Sequence, residues 1–316
     1  MPVPDVSLAR LRAFLAVVDH AGFTAAARQL HLSQQAVSAA VTRLEAELGV
    51  LLLQRSHRGP EPTPAGAAFA ERARELVAHW EGTVAEAQRL DRARRQVLRV
   101  GAMAGAALEL TEPILRAFAE LEPEASVELE PHLYDDPSAG LASGSTDVAF
   151  LRPPLGAERL VLTELLVEPR VILVGAGHPL AGRGRIALDE LRPFAAARPA
   201  GPDERWNGFW SAEADPAGAL PVTTLEEAFE LVAAGRAWAV APIGWTRFHA
   251  RPGLAVLTSD ELPPSVLALG RRRGERNPLV HRFLAAATSI AARHLDLVPD
   301  ATTPAAAPPD PAPAAG

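Results

Sequence analysis

From residue 7 to residue 50 the apolar positions fall at helical spacing in three blocks. Leu8, Leu11, Leu15 and Val18 make the inner face of a helix over 7–20. A second block, AAARQL, follows Thr24, a small hydroxyl residue placed as a helix N-cap. His31, Leu32 and Ser33 form a turn short enough for a helix-turn-helix. Ser33 caps a third block from about Gln34 to Leu48, and Gly49 stands where left-handed backbone closes a helix. Val37, Val41, Leu44 and Leu48 give this third helix one apolar stripe. Gln34, Gln35, Ser38 and Thr42 lie away from the stripe, with Ala39 between them. An outer face built for solubility alone would more often carry Glu, Lys and Arg. Short amides and hydroxyls suit a helix that meets base edges in the major groove.

Beyond this head the period changes twice. Residues 52–63 read as a wing, a hairpin stiffened by Pro60, Pro62 and Pro64. From Ala65 to about Arg95 a single helix carries Phe69, Ala73, Leu76, Trp80, Thr83, Ala87 and Leu90 at steps of four and three, a heptad seam suited to dimerisation. Asp91 to Gln96 then reads as a charged hinge. At Val97 strands and helices begin to alternate. Strands are expected at 97–102, 126–133, 147–151, 160–165, 170–174, 193–197, 237–241, 254–258 and 265–271. Helices are expected at 106–121, 137–143, 225–234 and 278–294. Such alternation predicts an α/β domain with a mainly parallel sheet. The segment 299–316, rich in Pro and Ala, is expected to be disordered.

Composition narrows the function. The chain has 316 residues, enough for two or three domains. It has no cysteine, which removes disulfides, zinc ribbons and thiol chemistry and fits a reducing compartment. The N-terminal stretch lacks the apolar core of a signal peptide, and no apolar run is long enough to span a bilayer. A cytoplasmic protein is expected. The net charge is −7, but its distribution is uneven: residues 1–66 carry +1 and 67–96 another +1, leaving −9 on the remainder. The head therefore needs Arg28, Arg43, Arg55 and Arg58 on one face, doubled by dimerisation, to hold phosphates. Gly175-Ala-Gly177 fails as a dinucleotide loop because Leu180 stands where Gly is needed. Walker, G-x-S-x-G and H-E-x-x-H patterns are absent from the sequence. The expectation is a protein that is not an enzyme and needs no cofactor or metal.

The stretch LRAFLAVVDHAGFTAAARQLHLSQQAVSAAVTRLEAELGVLLLQR, followed by TPAG, resembles the winged helix-turn-helix of LysR-type transcriptional regulators. The matching positions are Leu11, Phe14, Phe23-Thr24, Ala26-Ala27, Leu30, Ser33-Gln34, Ala36 to Ser38, Leu44-Glu45, Leu48-Gly49, Arg55, Thr63 and Ala65-Gly66. Gly22, Gln35, Leu53 and Pro62 depart from the usual residues. Downstream, Pro113, Phe118, Pro123, Gly144, Asp147-Val-Ala, His178-Pro-Leu-Ala181 and the run from Val232 to Pro242 resemble the family's effector-binding region. The resemblance implies an α plus α/β chain in three parts: a winged helix-turn-helix over 1–64, a linker and dimerisation helix over 65–96, and a two-lobed type 2 periplasmic-binding-protein-like domain over 97–298. One lobe would be 97–164 with 265–298, the other 165–264. It also implies partners: double-stranded promoter DNA, a homodimer or homotetramer through helix 65–95, and RNA polymerase. The residues expected at DNA are Thr24, Ser33, Gln34, Gln35, Ser38, Thr42, Arg43, Arg55 and Arg58.

In open α/β sheets a ligand binds at the carboxyl ends of strands. Three segments are so placed. Ala102, Met103, Ala104 and Gly105 follow the first strand and precede a helix N-terminus. Arg152 and Pro153 follow an apolar strand; there a guanidinium can bind a carboxylate in bidentate fashion or form an ion pair within the protein. Arg152 has the placement of the effector-contacting Arg in the family branch that responds to aromatic carboxylates. Trp206 with Thr223 and Thr224 would come from the other lobe. The leading expectation is thus a sequence-specific transcriptional regulator with a small-molecule effector between the lobes. An effector-independent transcription factor and a solute-binding α/β protein are the competing readings.

Overall fold

The structure is a computed structural model that describes residues 5–56, 59–103, 107–156, 159–248, 251, 253–298 and 300–304, the side chains of residues 55, 56 and 216 excepted. The chain divides into two compact units, Met1–Ala87 and Gln88–Gly316.

The first unit holds α1 (Leu8–Asp19), α2 (Phe23–Gln29), α3 (Gln34–Leu48), the hairpin β1 (Leu53–Ser56) and β2 (Gly59–Pro62), and the first part of α4 (Pro64–Arg94). The apolar stripe of α3 closes the core: Val37, Val41 and Leu44 are buried with Leu11, Phe14 and Val17 of α1. Ser33 Oγ accepts the Ala36 N–H, and Gly49 ends α3 at φ +67°. Thr24 does not cap α2. Gly22 holds that place without a side-chain bond, and Thr24 Oγ1 donates to Gln34 Oε1 at 3.3 Å instead. Glu45 fixes the entry to the wing, its Oε1 accepting from the Leu52 and Leu53 N–H groups. Gly66 is required by close approach, since a Cβ there would lie 1.9 Å from the Leu52 carbonyl oxygen. The sequence-read seam of α4 divides in use. Ala73, with Ala70 and Val77, is buried in the head core, whereas Leu76, Trp80 and Leu90 are exposed.

The second unit contains two lobes. The first is a five-stranded sheet ordered β4-β3-β5-β12-β6, from β3 (Val97–Met103), β4 (Ser126–His132), β5 (Val148–Leu151), β6 (Leu160–Glu168) and β12 (Ser265–Arg272). It is covered by α5 (Thr111–Leu121) and α9 (Pro278–Arg293), whose Phe118 and Phe283 meet at 5.2 Å. The second lobe pairs β7 (Arg170–Gly175) with β10 (Ala239–Pro242) and β11 (Leu254–Leu257), and β8 (Ala197–Pro199) with β9 (Leu220–Val222). Its helices are α6 (Glu204–Trp210), α7 (Leu225–Ala233) and α8 (Ile243–Phe248). No described helix is long and apolar enough to cross a membrane.

Several expectations are corrected. The sheets are mixed and not mainly parallel: β3 pairs in parallel with β4 and β5, but β12 runs antiparallel to β5 and β6, and β7 antiparallel to both its neighbours. The reason is the return of the chain between lobes, which lays β6 and β12 side by side in opposite senses. β6 continues in the first sheet to Glu168, so that lobe extends past 164. Residues 137–143 form turns, with positive φ at Ala139 and Gly140, where a helix was expected. The strand expected at 193–197 lies at Ala197–Pro199. The charged stretch after residue 90 is no free hinge. Buried Arg92 pairs with Asp147 at 3.2 Å, and Asp147 also accepts the Arg99 N–H. The tail is ordered further than expected: Thr302 and Val167 exchange two backbone hydrogen bonds. Residues 299 and 305–316 lie outside the described residues.

Candidate DNA-binding face and ligand cleft

The outer face of α3 is open. Gln34, Gln35, Ser38, Ala39, Thr42 and Arg43 line one shallow surface. All are exposed except Ser38, which is half-buried. Arg43 Nε lies 3.3 Å from Glu47 Oε1, a weak exposed pair that leaves the guanidinium reachable. Ser33 stands at the N-terminal end of this face with its oxygen accepting the cap bond. Arg28 is exposed in the last turn of α2. The side chain of Arg55 and all of Arg58 lie outside the described residues.

In the second unit a cleft opens between the lobes, about 800 Å³ with its open mouth included. Met103 at the end of β3, Tyr134 after β4 and Phe150 of β5 face it from one lobe; Trp206 and Trp210 of α6 and Trp245 of α8 face it from the other. The aromatic rings brace one another. Tyr134 meets Trp206 edge-on at 5.1 Å, and Trp206 lies 6.1 Å from Trp210. Behind them the Arg170 guanidinium stacks on Phe209 at 3.6 Å and donates from Nε to the Pro263 carbonyl at 2.7 Å. Burial pushes its pKa down to about 10 against the opposing pull of Glu213, so it remains a cation at neutral pH. Burial pushes the Tyr134 phenol well above its ordinary value, with the charge of Glu226 adding to the effect. Among the described residues no group of three or more His, Asp or Glu is placed to hold a metal ion.

Two domain families match this chain. Residues 8–67 match the bacterial regulatory helix-turn-helix protein, lysR family, and residues 91–291 match the LysR substrate binding domain. The chain belongs to the LysR family. It is a DNA-binding transcriptional regulator with an effector-binding domain. A probable hydrogen peroxide-inducible genes activator of Streptomyces viridosporus is 32% identical over 297 residues, covering 92% of this chain and 95% of that protein. The regulator TcbR of Pseudomonas sp. (strain P51) is 32% identical over 242 residues, 74% of this chain and 81% of that one. Among solved structures, a hydrogen peroxide-bound mutant of Corynebacterium glutamicum OxyR aligns with a TM-score of 0.51 at 23% identity, covering 94% of this chain and 96% of that one. Full-length BenM aligns at 0.51 and 24%, covering 92% and 98%. At that identity these structures show the fold alone.

The LysR cleft uses the sequence-predicted residues unevenly. Met103, Arg152, Trp206 and Thr224 line it; Ala102, Pro153 and Thr223 do not. Ala102 packs against the core of its lobe. Thr223 is folded back, with its N–H and Oγ1 on Glu227 Oε2, and Thr224 Oγ1 caps α7 by accepting the Glu227 N–H. Ala104 and Gly105 lie outside the described residues. The anion-binding role expected of Arg152 is not the one the structure gives it. Its Nη2 donates to Glu168 Oε1 at 2.8 Å and its Nη1 to Ser265 Oγ at 2.9 Å. Glu168 is fully buried and its other oxygen accepts the Gly244 N–H in the first turn of α8. Trp206 Nε1 in turn donates to the Arg152 carbonyl. Of the two roles open to Arg152 from sequence, the internal ion pair is the one realised. Sequence reasoning missed Tyr134, Phe150, Trp210, Trp245 and Glu226. Two of these, Trp210 and Trp245, stand on helices too short to show a period, and only the clustering of tryptophan between 206 and 245 hinted at them.

Proposed function

We propose that this protein is a cytoplasmic, homo-oligomeric LysR regulator that reads a two-fold promoter site with the outer face of α3 and the wing, and that it acts by binding and not by catalysis. Gln34, Gln35, Ser38 and Thr42 read base edges; Arg43, Arg55 and Arg58 hold phosphates; Thr24 steadies Gln34 and Ser33 orders the start of the helix. The observation that supports this reading is the open face of α3, which offers amides and hydroxyls where a solvent face would carry charge. Two copies associate through the exposed apolar positions of α4, which places two heads on one duplex. A small molecule in the cleft between the lobes shifts the spacing of the heads and so the contact with RNA polymerase. The peroxide response in one relative's name does not carry over through thiol oxidation, because this chain has no cysteine.

The test is binding to the DNA upstream of the protein's own gene, against scrambled DNA, at two salt concentrations. A preference of roughly 10³-fold or more is expected. Ser38→Glu should remove that preference, since a carboxylate at the groove meets acceptor edges and phosphates, while circular dichroism and oligomeric mass stay unchanged. Undiminished preference in S38E would sink the assignment of this face.

A further inference from the structure

We propose that the cleft, on its reading as the effector site, takes a flat aromatic molecule without negative charge and rejects carboxylates. Its lining includes the rings of Tyr134, Phe150, Trp206, Trp210 and Trp245. Such rings stack on flat apolar molecules and supply no counter-charge for an anion, whose desolvation there would go uncompensated. Among the described lining residues Arg152 is the sole guanidinium, and both its terminal nitrogens are engaged, one by a buried carboxylate. An anionic ligand would have to share Arg152 with Glu168 at 2.8 Å or displace it. Displacement would leave Glu168 as a buried uncompensated charge, one of the more damaging changes a protein interior can undergo.

A further group points the same way. Glu226, in the first turn of α7, lines the cleft. A helix start would otherwise attract an anion, but here Thr224 caps it and Glu226 and Glu227 supply carboxylates in its first turn.

Benzoate, benzamide and benzamidine have nearly the same shape and carry negative, zero and positive charge at neutral pH. Each is titrated into the full-length protein by calorimetry and by quenching of tryptophan fluorescence. Benzoate should bind roughly tenfold or more weakly than the better of the other two. Benzoate binding as tightly as both would overturn the inference while leaving the cleft as the effector site. No heat and no quenching from any of the three would reject the cleft itself. Glu226→Gln should weaken benzamidine relative to benzamide, and Glu168→Gln should unmask Arg152 and raise benzoate affinity by roughly tenfold. If E168Q fails to fold by circular dichroism, E226Q carries the test. An unchanged benzamidine-to-benzamide ratio in E226Q overturns the proposed charge selection.

Discussion

Single side chains in this protein take their meaning from partners far along the chain. Asp147 joins the end of α4 to the first lobe by holding Arg92 and the Arg99 N–H, with Arg92 some 55 residues away. Asp147→Ala leaves a buried guanidinium and a buried N–H without a partner and should lower stability by about 3–5 kcal/mol. Asp147→Asn should lower it less, because an amide oxygen still accepts from Arg99; chemical denaturation compares the two. His178 gives a pH prediction. Its Nδ1 accepts the Leu180 N–H, its ring meets Phe194 at 4.3 Å, and burial lowers its pKa from 6.5. The unfolded chain therefore takes up this proton first as pH falls. The contribution of His178 to stability is complete above 6.5 and is lost as pH falls from there through the lower folded value. Replacing His178 by Gln should flatten the dependence of the thermal midpoint on pH in that window. At this scale the sequence was least legible. Arg152 and Arg92 were visible as cations, but Glu168, Ser265 and Asp147 are neighbours only in the folded chain.

Helices with a long apolar period were read with their ends nearly right, because a stripe and an N-cap mark them and, in α3, a left-handed glycine closes the helix. α3 and α9 are of this kind, at Gln34–Leu48 and Pro278–Arg293. α6 and α8, of seven and six residues, are too short to show a period and went unread. Residues 137–143 show the opposite error: their composition allows a helix, but left-handed backbone at Ala139 and Gly140 breaks it into turns. The seam of α4 was legible as a period and not as a division of labour. Its early positions are covered by the head, while Leu76, Trp80 and Leu90 stay exposed at 56%, 50% and 58%. Apolar groups of that size in one row on a helix of 31 residues are the surface on which the proposed association through α4 rests. Trp80→Glu should therefore reduce the mass seen by light scattering to that of a monomer, with helix content retained. An unchanged mass would place the interface elsewhere.

Across the second unit the alternation of strands and helices was legible as an α/β plan, the two lobes came from the resemblance to the family, and the carboxyl ends of the strands were the places where a ligand was expected. The direction of the sheets was not legible, because it depends on two crossing strands that pair with each other. β6 and β12 run antiparallel from Ser265 opposite Glu168 to Arg272 opposite Leu160. Glu168 ends the first crossing strand and holds Arg152 of the first lobe and the start of α8 in the second. One carboxylate thus fastens both sides of the cleft, which is why E168Q should change ligand choice and the stiffness of the crossing together. Slower hydrogen exchange of the Gly244 amide in the parent than in E168Q would show that link.

β6 is the outermost strand of its sheet, and the two bonds between Val167 and Thr302 lie on its free edge. An uncovered edge is a template on which a second strand can grow. The last described residues thus act as a selvedge for the sheet, finishing it where it would otherwise fray into contact with other molecules. A shortened chain that stops before residue 300 should remain folded yet lose solubility on storage. A reporter fused directly after residue 304 would be moored close to the strand that crosses from one lobe to the other, a vantage point from which ligand binding in the cleft can be read.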